Sequence, residues 1–308
     1  MSNLSPLILV VYNRVNHTKN TVDALRANSL SSDSILYVYS EAAKNNSDID
    51  EVKCVRKYIR SIKGFKEVHI IERGENFGLA KNIISCVSEA INKYEKVIVL
   101  EDDIVTSPYF LKYMNEALEY YKDIKDIGSI SGFNYPKKVL NIPKGYNNDI
   151  YFSLRPSSWG WATWKDRWEK VDWEVKDYQE FEKEIELQKE FNKGGSDLSG
   201  MLKAQMEGRI DSWAIRWSYH HFKNNLLAVY PVVSFVDNIG NDGSGIHSKA
   251  SNEDRFRNSV LNEKKEIKFI KEIELNSKLL NNFQKIFSKD IRYVFRKIRF
   301  KILGQFLK

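Results

Sequence analysis

The first half of the chain alternates between two patterns of hydrophobic and polar positions. Four short, largely apolar runs lie at residues 7–12, 35–39, 68–71 and 97–100. Apolar residues instead recur every three or four positions in residues 18–27, 52–62, 79–94 and 108–121. Runs of the first kind are typical of buried strands, and spacing of the second kind is typical of amphipathic helices. Their alternation predicts an α/β fold in which a parallel sheet carries helices on both faces.

The second half has a different composition. All seven tryptophans lie between Trp159 and Trp217. Residues 238–248 are rich in glycine and predict a loop, and from about residue 252 the chain becomes polar and charged. We therefore expect a folded body over residues 1–250 and a charged, helical C-terminal extension over residues 251–308.

Composition places the chain among ordinary globular proteins. It has 308 residues, of which 42% are hydrophobic and 29% charged, and this excludes a disordered tail protein, a collagen-like fibre and a disulfide scaffold. No apolar run comes near the roughly 18 residues of a membrane span, and the N-terminus lacks the basic segment of a signal peptide. Since Cys54 and Cys86 are the only cysteines, we expect reduced thiols in a cytoplasmic protein.

Excess positive charge is confined to the C-terminus. Residues 285–308 hold eight of the 48 lysines and arginines and one of the 41 acids, which leaves 40 of each sign in residues 1–284. Because the body is neutral, we expect no nucleic-acid partner. Ile291, Phe295 and Ile302 recur at helical spacing among the arginines of this segment. The pattern indicates an amphipathic helix that binds an anionic membrane surface; a helix packed on the body or on a partner protein is the alternative.

Three consecutive acids, Glu101, Asp102 and Asp103, directly follow the fourth apolar run. Carboxylates at the end of a buried strand repel one another unless a cation or solvent compensates their charge. Their hard oxygen atoms suit Mg²⁺ or Mn²⁺, which in turn can bridge a diphosphate. A solvated turn, or the cap of the following helix, would use the same residues.

A glycine-containing turn precedes the third helical segment, in the sequence Asn-Phe-Gly-Leu-Ala-Lys-Asn of residues 76–82. Backbone amides and the helix dipole at such an N-terminus favour a phosphate, and Lys81 would add positive charge. A plain turn between a strand and a helix would have the same sequence without a ligand.

An acid and several aromatic residues are candidates for a sugar site. Asp211 precedes Trp213 and suits either a general base for a sugar hydroxyl or the N-cap of a helix. Trp159 and Trp161 would form the wall of a sugar pocket or pack as the core of a second layer. His247, in the glycine-rich loop, would reach phosphate or a metal ion, although a lone histidine usually binds neither.

In this order, the motifs of residues 6–248 resemble GT-A fold glycosyltransferases, specifically bacterial family-2-like sugar transferases. The chain is similar in particular to the N-acetylglucosaminyltransferases that open the complex N-glycan pathway. The motifs are Tyr12-Asn13-Arg14, Asn76-x-Gly78-Leu79, Glu101-Asp102-Asp103, Ser158-Trp159-Gly160-Trp161, Asp211-Ser212-Trp213 and Gly243-Ser244-Gly245-Ile246-His247. The resemblance implies a GT-A fold with a nucleotide-binding half at residues 1–105 and an acceptor-binding half at residues 106–250.

The resemblance assigns the donor contacts to the first half. Asn13 and Arg14 would meet the base and its phosphates, Lys81 would approach the diphosphate, and Asn76 belongs to the same site. The family usually reads the base with an aspartate after the second strand. This chain has Glu41 at that position, without the glycine that usually follows. We expect the donor to be a UDP-sugar.

The resemblance also assigns the metal and the catalytic base. Asp103 would bind Mn²⁺ or Mg²⁺ directly, while Asp102 would contact the ribose or position the metal. His247 would contact phosphate or metal, and Asp211 would take the proton from the acceptor hydroxyl. Direct displacement by that hydroxyl inverts the anomeric centre; a retaining route through an enzymatic nucleophile or a front-face path is the alternative.

We expect this chain to transfer a single sugar at a time rather than to build a polymer processively. Trp159 and Trp161 would line the donor and acceptor sugar sites. Processive synthases of the group carry Gln-x-x-Arg-Trp and membrane helices, whereas here Trp213 takes the Gln position before Arg216-Trp217. We therefore expect a non-processive enzyme of bacterial surface polysaccharide or glycan assembly that acts on a saccharide acceptor.

The C-terminal helix and two rival functions complete the prediction. A lipid-linked acceptor would give residues 285–308 a use on the inner face of the cytoplasmic membrane. A nucleotidyltransferase of the same fold would want a glycine-rich loop after the first strand, and residues 12–17 contain no glycine. A non-catalytic nucleotide- or sugar-binding protein on this fold would tolerate the loss of Asp211.

Overall fold

The computed structural model describes residues 4–240, 242, 255–258 and 260–287. These residues form a mixed α/β fold with a large eight-stranded sheet flanked by helices. Every strand and helix predicted in the first half forms, with boundaries shifted by up to three residues. The predicted fold class is therefore confirmed.

Ten strands and ten α-helices make up the described part of the chain. The strands are β1 (Leu7–Val11), β2 (Ile35–Ser40), β3 (Glu67–Glu72), β4 (Lys96–Glu101), β5 (Ile104–Thr106), β6 (Ile127–Ser131), β7 (Ile150–Ser153), β8 (Trp161–Trp164), β9 (Leu227–Pro231) and β10 (Val236–Asn238). The helices are α1 (Val15–Arg26), α2 (Ile49–Ile59), α3 (Leu79–Tyr94), α4 (Phe110–Tyr121), α5 (Lys165–Trp168), α6 (Tyr178–Lys183), α7 (Ile185–Phe191), α8 (Leu198–Met206), α9 (Trp213–Lys223) and α10 (Ser277–Ile286).

Strand β1 is buried on both faces, as its unbroken apolar sequence predicts. Successive side chains of a strand point to opposite faces, so Leu7, Leu9 and Val11 enter one core layer and Ile8 and Val10 the other. Helices α1, α2 and α4 cover the first layer, and α3 and α9 cover the second. Helices on both faces thus hold β1 in the middle of the sheet.

The order of strands in the large sheet is β3-β2-β1-β4-β8-β6-β9-β7. Strand β1 pairs in parallel with both β2 and β4, and β2 pairs in parallel with β3. From β1 the chain passes to β2 and β3 on one side, and then to β4 on the other. In open α/β sheets, ligands bind at the carboxyl ends of the strands where the order reverses in this way. Here that position lies between the ends of β1 and β4.

The described part of the C-terminal extension packs on the body. Leu279 and Phe283 of α10 are buried in a cluster with Tyr230 of β9. Residues 288–308, which hold most of the predicted basic helix, lie outside the described residues. Among the helices described, none has the length and apolar character needed to cross a membrane.

Candidate functional site

Residues from both halves of the chain meet at one edge of the large sheet. Arg14 follows β1, Glu41 follows β2 and Asp102 follows β4. Because these strands are parallel, the three positions share the carboxyl edge. In the antiparallel strand β8, Trp161 pairs with Val99 of β4, so the residues just before Trp161 run along the same edge.

Arg14 joins the two aspartates that follow β4. Its Nη2 donates to Oδ1 of Asp102 and, at 2.7 Å, to Oδ2 of Asp103. The side chains of Arg14, Asp102 and Asp103 are 16%, 6% and 12% exposed. Their charges therefore interact in a largely dry environment, where an ionic hydrogen bond is stronger than it is in water.

One arginine does not compensate the three acids at this position. Burial raises the pKa of Glu101, and repulsion from Asp103 and Asp102 raises it further. Burial also raises the pKa of Asp102, although Arg14 opposes the shift. Raised carboxyl pKa values mean that the ionised forms lack stabilising partners, so the cluster has room for additional positive charge.

Two polar atoms of the cluster are buried without a hydrogen-bond partner among the described residues: Nη1 of Arg14 and Oδ2 of Asp102. Gly240 covers the same place, because the backbone N–H of Ile239 donates to the carbonyl oxygen of Asp103 at 2.9 Å. A Cβ on Gly240 would lie 2.0 Å from Oδ2 of Asp103 and 2.9 Å from Nη1 of Arg14. The backbone thus closes on the ion pair at a distance that excludes any side chain at position 240.

A divalent cation fits the donors of this cluster. Within the described ranges, no three His, Cys, Asp or Glu side chains converge on a metal position. Asp102 and Asp103 supply carboxylate oxygens, one of them buried and unpartnered, and Mg²⁺ commonly takes one or two protein carboxylates together with substrate phosphates. His247, predicted as a further ligand, lies outside the described residues.

Glu41 and Asn76 connect the end of β2 to the turn before α3. Oε1 of Glu41 accepts hydrogen bonds from the backbone N–H groups of Ala42 at 3.1 Å and Phe77 at 3.0 Å. Asn76 Nδ2 donates to the Ala42 carbonyl at 2.7 Å, and its Oδ1 accepts from the Gly78 N–H at 3.1 Å. Burial raises the pKa of Glu41. Its Oε2 is buried without a partner in the described part of the chain.

The other predicted donor residues lie beside this turn or at the end of β1. Asn13 lies two residues after the end of β1 and is half-buried. Lys81 is exposed in the first turn of α3, with its Nζ 4.3 Å from the centroid of the Phe77 ring. Gly78, at the N-cap of α3, has a φ of 75°, a left-handed conformation that glycine adopts readily. The turn forms as predicted, and its role in phosphate binding stays a prediction.

Asp211 lies just before α9 but does not cap it. Ser212 is the N-cap, and its Oγ accepts a hydrogen bond from the Ile215 N–H at 3.3 Å. The alternative interpretation of Asp211 as an N-cap is therefore excluded. Its side chain is 63% exposed, with Oδ1 3.4 Å from Nη2 of Arg216. A Cβ on Gly78 would lie 3.7 Å from Oδ2 of Asp211, so Asp211 sits over the turn that precedes α3.

The two tryptophans predicted to line sugar sites have different environments. Trp159 is half-buried and lines a cavity of about 190 Å³. Trp161 is 1% exposed and stacks on Trp213 with 4.9 Å between ring centroids. We therefore correct the prediction for Trp161: its ring packs in the core layer beneath α3 and α9 and leaves no face for a sugar.

The cavity beside Trp159 combines aromatic walls with polar groups. Tyr135, Phe256 and Phe287 contribute rings to its lining. Arg155 also lines it and is held by Asp197 through two hydrogen bonds of 2.7 Å and 3.2 Å. Sequence patterns did not single out these residues, because no local motif marks them. They meet only when the segments before β7, after β7 and in the C-terminal extension pack together.

Comparisons with known proteins find partial likenesses to solved structures, of which two are described here. No family model matches the chain, and no curated protein matches its sequence. The mannosyltransferase PcManGT from Pyrobaculum calidifontis, solved with GDP-Man and Mn²⁺, is 14% identical, with a TM-score of 0.41 over 56% of this chain and 48% of its own. TarS from S. aureus is 13% identical, with a TM-score of 0.32 over 45% of this chain and 24% of its own. The chain thus spans less than half the length of either protein.

Proposed function

We propose that this protein is a metal-dependent glycosyltransferase that moves one sugar from a nucleotide-sugar donor to a saccharide acceptor. The observation that carries the proposal is the arrangement at the switch point of the sheet. There Asp102 and Asp103 lie beside Arg14, and one buried oxygen of Asp102 has no partner among the described residues. At the same edge, Glu41 keeps a buried acceptor atom and Asp211 is exposed above the turn of Gly78.

The donor half of the site binds the nucleotide. Oε2 of Glu41 accepts a hydrogen bond from the base, for which we propose uracil. Arg14 donates its Nη1 hydrogens to the diphosphate, and Lys81 adds positive charge from the first turn of α3. A divalent cation held by Asp103 and Asp102 would neutralise the charge that develops on the leaving nucleoside diphosphate.

The acceptor half supplies the base and the sugar platform. Asp211 accepts the proton of an acceptor hydroxyl. The oxygen of that hydroxyl forms a bond to the anomeric carbon while the bond from this carbon to the diphosphate breaks. Arg216 holds the Asp211 carboxylate in place. Attack from the face opposite the diphosphate inverts the anomeric centre. Trp159 and its neighbours in the cavity hold the acceptor sugar by its apolar face.

A lipid-linked acceptor in bacterial surface glycan assembly extends the proposal. Phe287 lines the cavity and directly precedes residues 288–308, which carry seven basic residues and one acid. A basic segment that follows a cavity residue in the sequence suits a substrate held at the inner face of an anionic membrane. We propose a hexose or an N-acetylhexosamine as the transferred group, as in the N-acetylglucosaminyltransferases that the motifs resemble.

The Asp211→Asn variant separates transfer from binding. We expect UDP-sugars with Mn²⁺ to stabilise wild-type protein and the variant equally, by about 2.7 kcal/mol at 100 times the dissociation constant. Transfer to a saccharide acceptor should fall by about 10²–10⁴-fold in the variant, because the general base is lost. Thermal unfolding and product formation are measured on the same preparations.

The matched control is Asp50→Asn, which removes an aspartate that is 89% exposed on α2. This variant should transfer sugar at the wild-type rate. Full transfer by Asp211→Asn would remove the general base from the proposal. Nucleotide binding without transfer in the wild type would instead favour a binding protein on the same fold, and an absence of stabilisation by any nucleotide would refute the proposal.

A further inference from the structure

Arg14 occupies the place in the acid cluster where positive charge is needed. A single nitrogen, Nη2, donates to both Asp102 Oδ1 and Asp103 Oδ2. Desolvation opposes the guanidinium charge, and the two aspartates hold it in the ionised form. The ion pair is therefore an internal compensation of the cluster, made by a residue of the chain itself.

This compensation is incomplete on both sides. Nη1 of Arg14 and Oδ2 of Asp102 are buried and have no partner among the described residues. A buried donor or acceptor without a partner loses its hydration and gains nothing in return. An anion would satisfy Nη1 of Arg14, and a cation would satisfy Oδ2 of Asp102.

A divalent cation and Arg14 compete for the same two carboxylate groups. A metal bound between Asp102 and Asp103 would bind carboxylates that Nη2 already uses through one oxygen of each. It would also lie within a few ångström of the guanidinium, at a position where all three side chains are largely buried and like charges repel strongly. In the absence of a diphosphate, the charge of Arg14 therefore weakens the binding of a metal ion.

We propose that Arg14 acts as a positioning residue that makes divalent-cation binding at Asp102 and Asp103 depend on the diphosphate. The inference rests on the proposed function, since it assigns the anion at Nη1 to a nucleoside diphosphate. When that anion binds, the guanidinium turns from the carboxylates to the phosphate oxygens, and the carboxylate oxygens become free for the cation. Until the anion binds, the backbone at Gly240 covers the Arg14–Asp103 ion pair.

Linkage gives this mechanism a measurable sign. If the diphosphate raises the affinity for metal by some factor, the metal raises the affinity for diphosphate by the same factor. Part of that coupling comes from direct contact between metal and phosphate. Arg14 contributes a separate part of the coupling, because its charge lowers the affinity for the metal ion when no diphosphate is present. Removing the guanidinium should therefore strengthen the binding of metal alone.

The test measures free Mn²⁺ by electron paramagnetic resonance in titrations of the full-length chain. Wild type, Arg14→Gln and Arg14→Lys are compared with Mn²⁺ alone and with Mn²⁺ plus UDP or GDP. We expect Arg14→Gln to bind Mn²⁺ alone about 5-fold or more tightly than wild type, within the usual range of coupling between sites. The increase caused by the nucleotide should be smaller in Arg14→Gln, and Arg14→Lys should lie between the two.

The matched control is Arg26→Gln, which removes an exposed arginine at the other end of α1. It should bind Mn²⁺ as wild type does. Thermal unfolding of each variant verifies folding, and Arg14→Lys serves as the test if Arg14→Gln is unfolded. Equal or weaker binding of Mn²⁺ alone by the folded Arg14 variants would overturn the inference while leaving a transferase with metal-dependent nucleotide binding intact. If neither nucleotide binds wild type, with or without Mn²⁺, the proposed function and this inference both fail.

Discussion

At the scale of single residues, the site depends on how closely backbone and side chains approach one another. Gly240 illustrates this, because its Cα lies against the Arg14–Asp103 ion pair. Gly78 illustrates a different requirement, a positive φ at the start of α3. In the first case glycine is needed for space and in the second for conformation, and the same residue type therefore responds differently to substitution at the two positions.

Gly240→Ala should destabilise the protein and weaken nucleotide binding. The new Cβ would meet Oδ2 of Asp103 at 2.0 Å, so the ion pair must shift in a tightly packed place, at a cost of about 1–3 kcal/mol. Urea unfolding measures the change. The control is Gly74→Ala, where a Cβ would meet nothing within 4 Å and the free energy of unfolding should change by less than about 0.5 kcal/mol. Equal stability of the two variants would contradict the close contact.

At the scale of elements, α9 contributes both to the proposed site and to the hydrophobic core. Its N-terminus places Asp211 at the sheet edge, and its buried face adds Trp213 and Trp217 to the core. Farther along the same helix, His220 stacks on Trp217 with 5.4 Å between centroids. His221 is fully buried, and neither of its ring nitrogens has a partner in the described part of the chain. The helix therefore buries two imidazoles that are difficult to charge.

Stability should fall in acid because of these histidines. Burial lowers the pKa of His221 to about 3 and that of His220 to about 4, below the value of about 6.5 for an unfolded chain. The unfolded chain therefore takes up protons first, and the contribution is complete above pH 6.5 and lost as the pH falls toward 3. Each histidine contributes a slope of about 1.4 kcal/mol per pH unit within its window.

Urea unfolding of wild type and His221→Gln from pH 7 to pH 4 measures that slope. The free energy of unfolding of the variant should fall less steeply with decreasing pH than that of wild type, because one of the two buried histidines is gone. The control His69→Gln changes a histidine whose side chain is 42% exposed and is measured over the same pH range. A profile of His221→Gln that runs parallel to that of wild type would show that His221 is not protonated on unfolding in this range.

At the scale of the whole molecule, the distribution of charge separates the body from the C-terminus. Residues 1–284 are balanced, with 40 basic and 40 acidic residues, and the excess of +7 follows them. The described part of the extension ends with α10 packed on β9 and with Phe287 in the cavity beside Trp159. The chain therefore enters residues 288–308 directly after a residue that lines the proposed acceptor cavity.

Reversing three of these charges should abolish binding to anionic vesicles. Each cation near such a surface contributes about 1 kcal/mol, so the triple variant Arg292→Glu, Arg296→Glu, Arg299→Glu should bind phosphatidylglycerol-containing vesicles at least about 100-fold more weakly. Sedimentation with vesicles measures the binding.

A control variant changes the net charge by the same amount at another place. Lys53, Lys176 and Lys189 are 71%, 76% and 65% exposed, and their replacement by glutamate should leave most of the binding intact. Equal losses in both triple variants would mean that net charge, rather than the C-terminal segment, controls adsorption.

The order of strands and helices in the first half follows from the sequence alone, because the two hydrophobic periods are local properties of neighbouring residues. The sequence also identified the acids after β4 and the glycine turn before α3, since both follow directly from the ends of recognisable elements. The cavity beside Trp159 and the role of Arg155 in it could not be predicted, because no spacing along the chain records which segments pack together.

The contacts of the candidate residues, in contrast, follow from the way the elements pack together. Arg14 and Asp102 lie 88 positions apart and meet because β1 and β4 are neighbours in the sheet. Trp159 and Trp161 are two positions apart and have equivalent sequence environments, yet one lines a cavity and the other is buried in the core. Local sequence sets the conformation of each element. The burial, charge and partners of a side chain depend instead on the order in which distant elements are placed side by side.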